Sequence, residues 1–165
     1  MASGNVLCVF TALNNEPPAS AYATLDTRNS IAVLDFDGAT DEEAIFRGVL
    51  PDNYAGGGLT VDLYSMATSA TSGTYRYQVA IEREDLATDH DSNSLATDQS
   101  AGASTAGTSG VATKVSVTFT SGANMDSLAA GEPFRLRVHR DADGTSGTDD
   151  ITTDIELMTV VVKET

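Results

Sequence analysis

The sequence predicts an all-β chain folded as a single-domain antiparallel β-sandwich of jelly-roll type. The first observation is alternation. Leu59, Val61 and Leu63 alternate with Thr60, Asp62 and Tyr64; Tyr75, Tyr77, Val79 and Ile81 alternate with Arg76, Gln78, Ala80 and Glu82. Val115, Val117 and Phe119 follow the same rule, as do Phe134, Leu136 and Val138. A period of two gives each strand one dry face and one wet face, as antiparallel sheets require. The second observation is number and spacing: about eight or nine such runs with long crossovers suit a sandwich. The third is exclusion. No solenoid or propeller repeat is visible, and the Cys–Trp–Cys framework of immunoglobulin domains is absent from a chain with one cysteine and no tryptophan.

The first strand runs from Asn5 to Thr11 and is apolar on both faces, with Val6, Cys8 and Phe10 on one and Leu7 and Val9 on the other. Pro17 and Pro18 then exclude both helix and central strand. Tyr22–Asp26 and Ile31–Phe36 read as short strands around the turn Arg28-Asn29-Ser30. Thr40 and Glu43 have the spacing of a helical capping box. The alternation of Ile45, Arg47 and Val49 with Phe46, Gly48 and Leu50 instead favours a strand ending at Pro51.

After the glycines at 56–58, strands are predicted at Leu59–Thr68 and Tyr75–Glu84, joined as a hairpin by a short connection. Leu86–Gly110 is nearly all Ala, Ser, Thr, Asp and Gly, and reads as a long polar surface loop inserted in the single domain 1–165. Strands follow at Val111–Thr120, Phe134–Arg140 and Ile151–Lys163, with one helical turn within Ala123–Ala130. The last strand is also apolar on both faces: Ile155, Leu157 and Val161 point one way, and Met158, Val160 and Val162 the other. The first and last strands are therefore expected to pair, with the second face covered by a neighbouring subunit rather than by the loop 86–110, which has little apolar surface to offer. Met158, Val160 and Val162 are the candidate interface, together with Arg135, Arg137 and His139, which share one face of their strand. Pairing of that basic face with acidic strands, through Asp62 or Glu82, is the competing reading.

Twenty-four acidic residues against nine basic ones give a net charge of −15. Such a chain repels phosphate backbones and anionic membranes, so neither nucleic acid nor membrane is an expected partner. No apolar run reaches the ~18 residues of a membrane helix, and Met1-Ala2-Ser3-Gly4 lacks the pattern of a secretory leader. Cys8 has no disulfide partner and reads as a small core residue.

No motif of catalysis is present. G-x-S-x-G, H-E-x-x-H, the P-loop and G-x-G-x-x-G are all missing, and two distant histidines do not make a metal site. Asp89-His90-Asp91-Ser92-Asn93 opens like a calcium loop, but Ser94 and Ser100 stand where glycine and glutamate are needed. The acidic turn Asp141–Asp150 could offer oxygen ligands, although Asp and Gly are also ordinary turn residues. The residues thus indicate no enzyme and no cofactor.

Asp41-Glu42-Glu43, Val49-Leu50-Pro51, Tyr54, Gly57-Gly58-Leu59 and Ala70-Thr71-Ser72-Gly73, with the closing Val-Lys-Glu-Thr, resemble a group of small virion proteins of tailed phages and prophages. The resemblance implies a capsid decoration or cement protein, synthesised in the host cytoplasm. It would form a trimer on the capsid surface, bind the major capsid protein and act without an active site. The alternative is a carbohydrate-binding module of a head or tail fibre, with Tyr54 or Tyr64 as a platform for sugar rings.

Overall fold

A computed structural model describes residues 4–165; the leader reading at Met1-Ala2-Ser3 lies outside them. Among the described residues, ten strands form two facing antiparallel sheets. They are β1 (Val6–Thr11), β2 (Thr24–Arg28), β3 (Ile31–Phe36), β4 (Glu42–Val49) and β5 (Leu59–Ala67), followed by β6 (Thr74–Arg83), β7 (Gln99–Ser104), β8 (Thr113–Phe119), β9 (Pro133–Arg140) and β10 (Ile155–Glu164). One sheet has the order β2-β3-β10-β5-β8, with β1 also on β10; the other has the order β4-β9-β6-β7. The all-β, jelly-roll-like sandwich is as predicted. Among the described residues the only helical pieces are 3-10 turns at Ala12–Asn14 and Ala123–Met125.

The inner faces supply the core. Leu59, Val61 and Leu63 of β5 meet Tyr77, Val79 and Ile81 of β6 and Phe134, Leu136 and Val138 of β9, all buried. Phe10 stacks on Phe46 at 5.6 Å, and Phe36 meets Tyr77 edge-on at 5.5 Å. Such pairs contribute about 0.5–1.5 kcal/mol each beyond their area.

β1 and β10 pair, as expected, with Phe10 opposite Val160 and Cys8 opposite Val162. A bulge between Leu157 and Thr159 then changes which side chains face inward. One extra residue reverses the alternation beyond it. Leu157, Val160 and Val162 are consequently all inward and 1% exposed, while Val161 lies opposite Asp62 on the outer face. Val160 and Val162 belong to the core of the sandwich, which corrects their assignment to a subunit interface. Met158 is left half-buried at the bulge, beside an outer depression lined by Leu13, Ile31 and Tyr64.

Three other expectations change. β5 and β6 are not hairpin partners: β5 lies between β10 and β8, β6 lies in the other sheet, and residues 68–73 cross between the layers. The crossing is sharp because Gly73 takes φ +109° and Asp150 Oδ1 accepts from the Thr74 amide at 2.6 Å. The supposed loop 86–110 contains β7, which pairs with Thr74–Val79 and packs Ala101 and Ala103 against the core. Short side chains hid that alternation. Finally, β2 begins at Thr24 rather than Tyr22, and β10 at Ile155 rather than Ile151.

Candidate binding groove on the four-stranded sheet

The register of the four-stranded sheet sets the outer face. Arg47 of β4, Arg135 of β9 and Glu82 of β6 stand in one row; Ile45, Arg137 and Ala80 form the next; Glu43, His139 and Gln78 form a third. Two arginines on one strand, Arg135 and Arg137, would repel one another, so each takes an acidic partner. Arg135 pairs with the 1%-exposed Glu82, and Arg137 with Glu43 at 3.1 Å and Asp98 at 2.7 Å. His139 Nε2 lies 3.3 Å from Asp41. Arg47 donates through Nε and Nη2 to Glu84 at 3.0 and 2.9 Å. The arginines of this face are thus paired within the chain. Asp62, the other partner considered, sits on the opposite sheet with Lys114 and Lys163.

Two connections rise beside this floor. Glu16, Pro17 and Pro18, between β1 and β2, form one wall; the Glu16 amide donates to Ile45 O at 2.8 Å, and Asn15 Oδ1 accepts from the Ile45 amide at 2.9 Å. His90 and Leu95, between β6 and β7, form the other. That segment is tied down where Ala96 donates to Ile81 O at 2.9 Å and Asn93 Nδ2 to Glu82 at 2.7 Å. The sequence 89–93 is therefore a hydrogen-bonded turn that braces the groove. The groove holds about 580 Å³, with Ile45, Arg47 and Arg135 on its floor and Glu84 at its rim.

The other site residues fall elsewhere. Tyr54 is 6% exposed and donates its hydroxyl to Gly57 O, so it offers no platform. Tyr64 is half-buried on the outer face of the six-stranded sheet. The thiol of Cys8 is held above the usual range by burial and points at Val49 O, 3.6 Å away. Sequence reasoning missed the groove's walls. Their signal was the pair Pro17-Pro18, read only as a strand breaker.

Asp41, Asp141 and Asp143 bring one carboxylate oxygen each within 4.8 Å of one another, the one such acidic group among the described residues. Asp141 already accepts from Gln78 Nε2 (3.1 Å), Thr145 Oγ (3.0 Å) and the amide and hydroxyl of Ser146 (3.0 and 2.6 Å). Burial raises its pKa, but these donors outweigh burial and hold the carboxyl below the usual range. These donors engage both oxygens of the Asp141 carboxylate.

No protein-family profile matches the chain, and no curated protein matches it in sequence. Solved structures do match in shape. The CBM22-2 xylan-binding domain from Paenibacillus barcinonensis Xyn10C is 16% identical over 92% of each chain, with a TM-score of 0.52. The tandem CBM22-1–CBM22-2 domain of the same protein gives 0.58 at 14% identity, over 99% of this chain and 50% of that one. An exo-beta-1,3-galactanase from Phanerochaete chrysosporium, with beta-1,3-galactotriose, gives 0.53 at 13% identity, over 98% of this chain and 29% of that one. The chain is thus under a third of the galactanase's length and half that of the tandem domain. At such identities the likeness establishes the fold: a two-sheet, jelly-roll-like β-sandwich.

Proposed function

We propose that this chain is a carbohydrate-binding module that holds a neutral glycan in the groove between Pro17-Pro18 and His90-Leu95. One observation carries the reading: every guanidinium of the floor is already clasped by a carboxylate. Such a surface offers fixed donors and acceptors and leaves no guanidinium of the floor unpaired. It suits vicinal hydroxyls, whereas a phosphate or sulfate would compete with the resident carboxylates. Ile45, Pro17, Pro18 and Leu95 supply apolar surface for the C–H faces of sugar rings. The mechanism is binding alone, with no bond made or broken. The shared fold with the xylan-binding domain and the galactanase adds support. Calorimetry of the purified protein against xylo- and β-1,3-galacto-oligosaccharides tests it. Binding that Arg135→Ala weakens at least tenfold supports the reading; heats of dilution alone with every neutral glycan contradict it.

A second reading is favoured by the outer face of the six-stranded sheet. Val6, Val9 and Ile31 are 57%, 56% and 50% exposed there, and Ile31 lines the same depression as Met158. Exposed apolar residues on a strongly acidic chain suit contacts with further copies or with a capsid. This is the proposal of a trimeric virion decoration protein on a phage capsid, and it is compatible with glycan binding on a fibre. Light scattering distinguishes trimer from monomer, and proteomics of purified particles tests virion membership.

A further inference from the structure

We infer that Tyr22 provides an additional sugar-binding subsite beside the groove, so that the ligand is an extended oligosaccharide rather than a single terminal sugar. The inference rests on the proposed glycan-binding reading and deepens it. Tyr22 is 48% exposed, whereas Tyr54, Tyr75 and Tyr77 are buried and Tyr64 is half-buried and does not line this cleft. It overlooks a cleft of about 290 Å³, walled by Leu13, Pro17 and Leu25 and floored by the buried Ala23 and Leu34. That size is near the lower bound of roughly 300 Å³ for small-molecule sites and suits one sugar ring.

Two features connect this cleft with the groove. Pro17 lines both, so the two depressions meet at one residue. Glu43 serves both as well. Its side chain lies in the groove, while its backbone grips the tyrosine on either side: the Glu43 amide donates to Ala21 O at 2.7 Å, and the Ala23 amide to Glu43 O at 2.9 Å. This grip holds Ala21 at φ +52°, the left-handed region that alanine rarely adopts. Strained backbone of this kind persists where the surroundings over-determine it, and it clusters at ligand sites. Here it fixes the backbone that carries the Tyr22 ring at the edge of the cleft. Tyrosine is amphipathic and rigid: its ring face suits the C–H face of a pyranose, and its hydroxyl suits the rim. A chain leaving the groove over Pro17 would bring its next ring to Tyr22.

The test is a ladder of neutral xylo- and β-1,3-galacto-oligosaccharides of two to six units, titrated into wild type, Tyr22→Ala and Tyr22→Phe. Wild type should gain at least tenfold in affinity between the trisaccharide and the hexasaccharide. Tyr22→Ala should abolish that gain and leave the disaccharide and trisaccharide within twofold; Tyr22→Phe should keep most of it. Matched thermal melts confirm that the exposed substitution leaves the fold intact. If Tyr22→Ala weakens every length equally, or none, the subsite is overturned while the groove stands. A tyrosine-dependent dimer in sedimentation, with the ladder unchanged, also overturns it. If wild type binds no oligosaccharide, the groove reading fails and the subsite fails with it.

Discussion

Arg140 shows how much one side chain can hold in place. It is fully buried at the end of β9 and donates to the carbonyls of Phe36, Asp37, Ile151 and Thr153, at 2.6–3.2 Å. It also pairs bidentately with Asp149 at 3.0 Å through Nε and Nη2. One guanidinium therefore ties the four-stranded sheet to the segments flanking β3 and β10. Arg140→Ala leaves a buried carboxylate and four carbonyls without their donor, and should cost about 3–5 kcal/mol. Arg140→Lys should rescue little, because an ammonium cannot reproduce the fork. Chemical denaturation of both variants checks this.

Asp35 gives a pH-dependent prediction. Burial, then the charges of Glu156, Asp26 and Asp154, push its carboxyl from 3.8 up to about 6. The folded state therefore holds this proton more tightly than the unfolded chain does. Its contribution is complete below about pH 4 and is lost as pH rises through about 6. Asp35→Asn should stabilise the protein at pH 7.5 by about 1 kcal/mol, after allowing for partial solvent screening, and do almost nothing at pH 4. Thermal melts at the two pH values decide; an equal shift at both contradicts the assignment.

At the scale of elements, β7 is the instructive case. Ala101 and Ala103 face the core beside Tyr77 and Tyr75, while Gly102 and Ser104 face out. Ala103→Glu should destabilise by about 2 kcal/mol, because it places a carboxylate against an apolar interior. Ser104→Glu should stay within about 0.5 kcal/mol. A surface loop would tolerate both, so paired denaturation curves test whether this strand is built as described.

The same element marks the limit of what the sequence makes legible. Strands with large alternating residues, such as Val115-Val117-Phe119 or Phe134-Leu136-Val138, declare themselves because burial of each repays the ordering of the chain. β7 gains its place by backbone pairing and small-residue packing, which hydropathy does not register. The bulge in β10 is equally silent. Nothing in Leu157-Met158-Thr159 announces an extra residue, yet it turned Val160 and Val162 from candidate interface to core. The paired acidic face was half legible: Glu82 could be named as a partner for the basic strand, but Glu43, Glu84 and Asp98 come from segments that only the tertiary fold brings together.

For the whole molecule, charge and site separate cleanly. The chain carries −15, and each guanidinium of the groove is already paired with a carboxylate. Affinity for a neutral glycan should therefore change less than about twofold between 50 and 500 mM NaCl, since no counterions are released and no long-range field is screened. A steep salt dependence would indicate an ionic ligand. Stability behaves differently. Burial raises the pKa of Asp62, but hydrogen bonds from Lys163 and Ser116 outweigh it and keep the carboxyl below its ordinary value. The stabilisation from that group is present above about pH 4 and lost as pH falls further.

The central claim is that the groove between Pro17-Pro18 and His90-Leu95 binds neutral sugar chains. Calorimetric titration of the wild-type protein and Arg135→Ala with neutral oligosaccharides tests it most directly. The account predicts saturable binding to wild type at a stoichiometry of one, weakened at least tenfold in the variant while the thermal melt remains cooperative. Binding that Arg135→Ala leaves unchanged, or no binding to any neutral glycan, would contradict it.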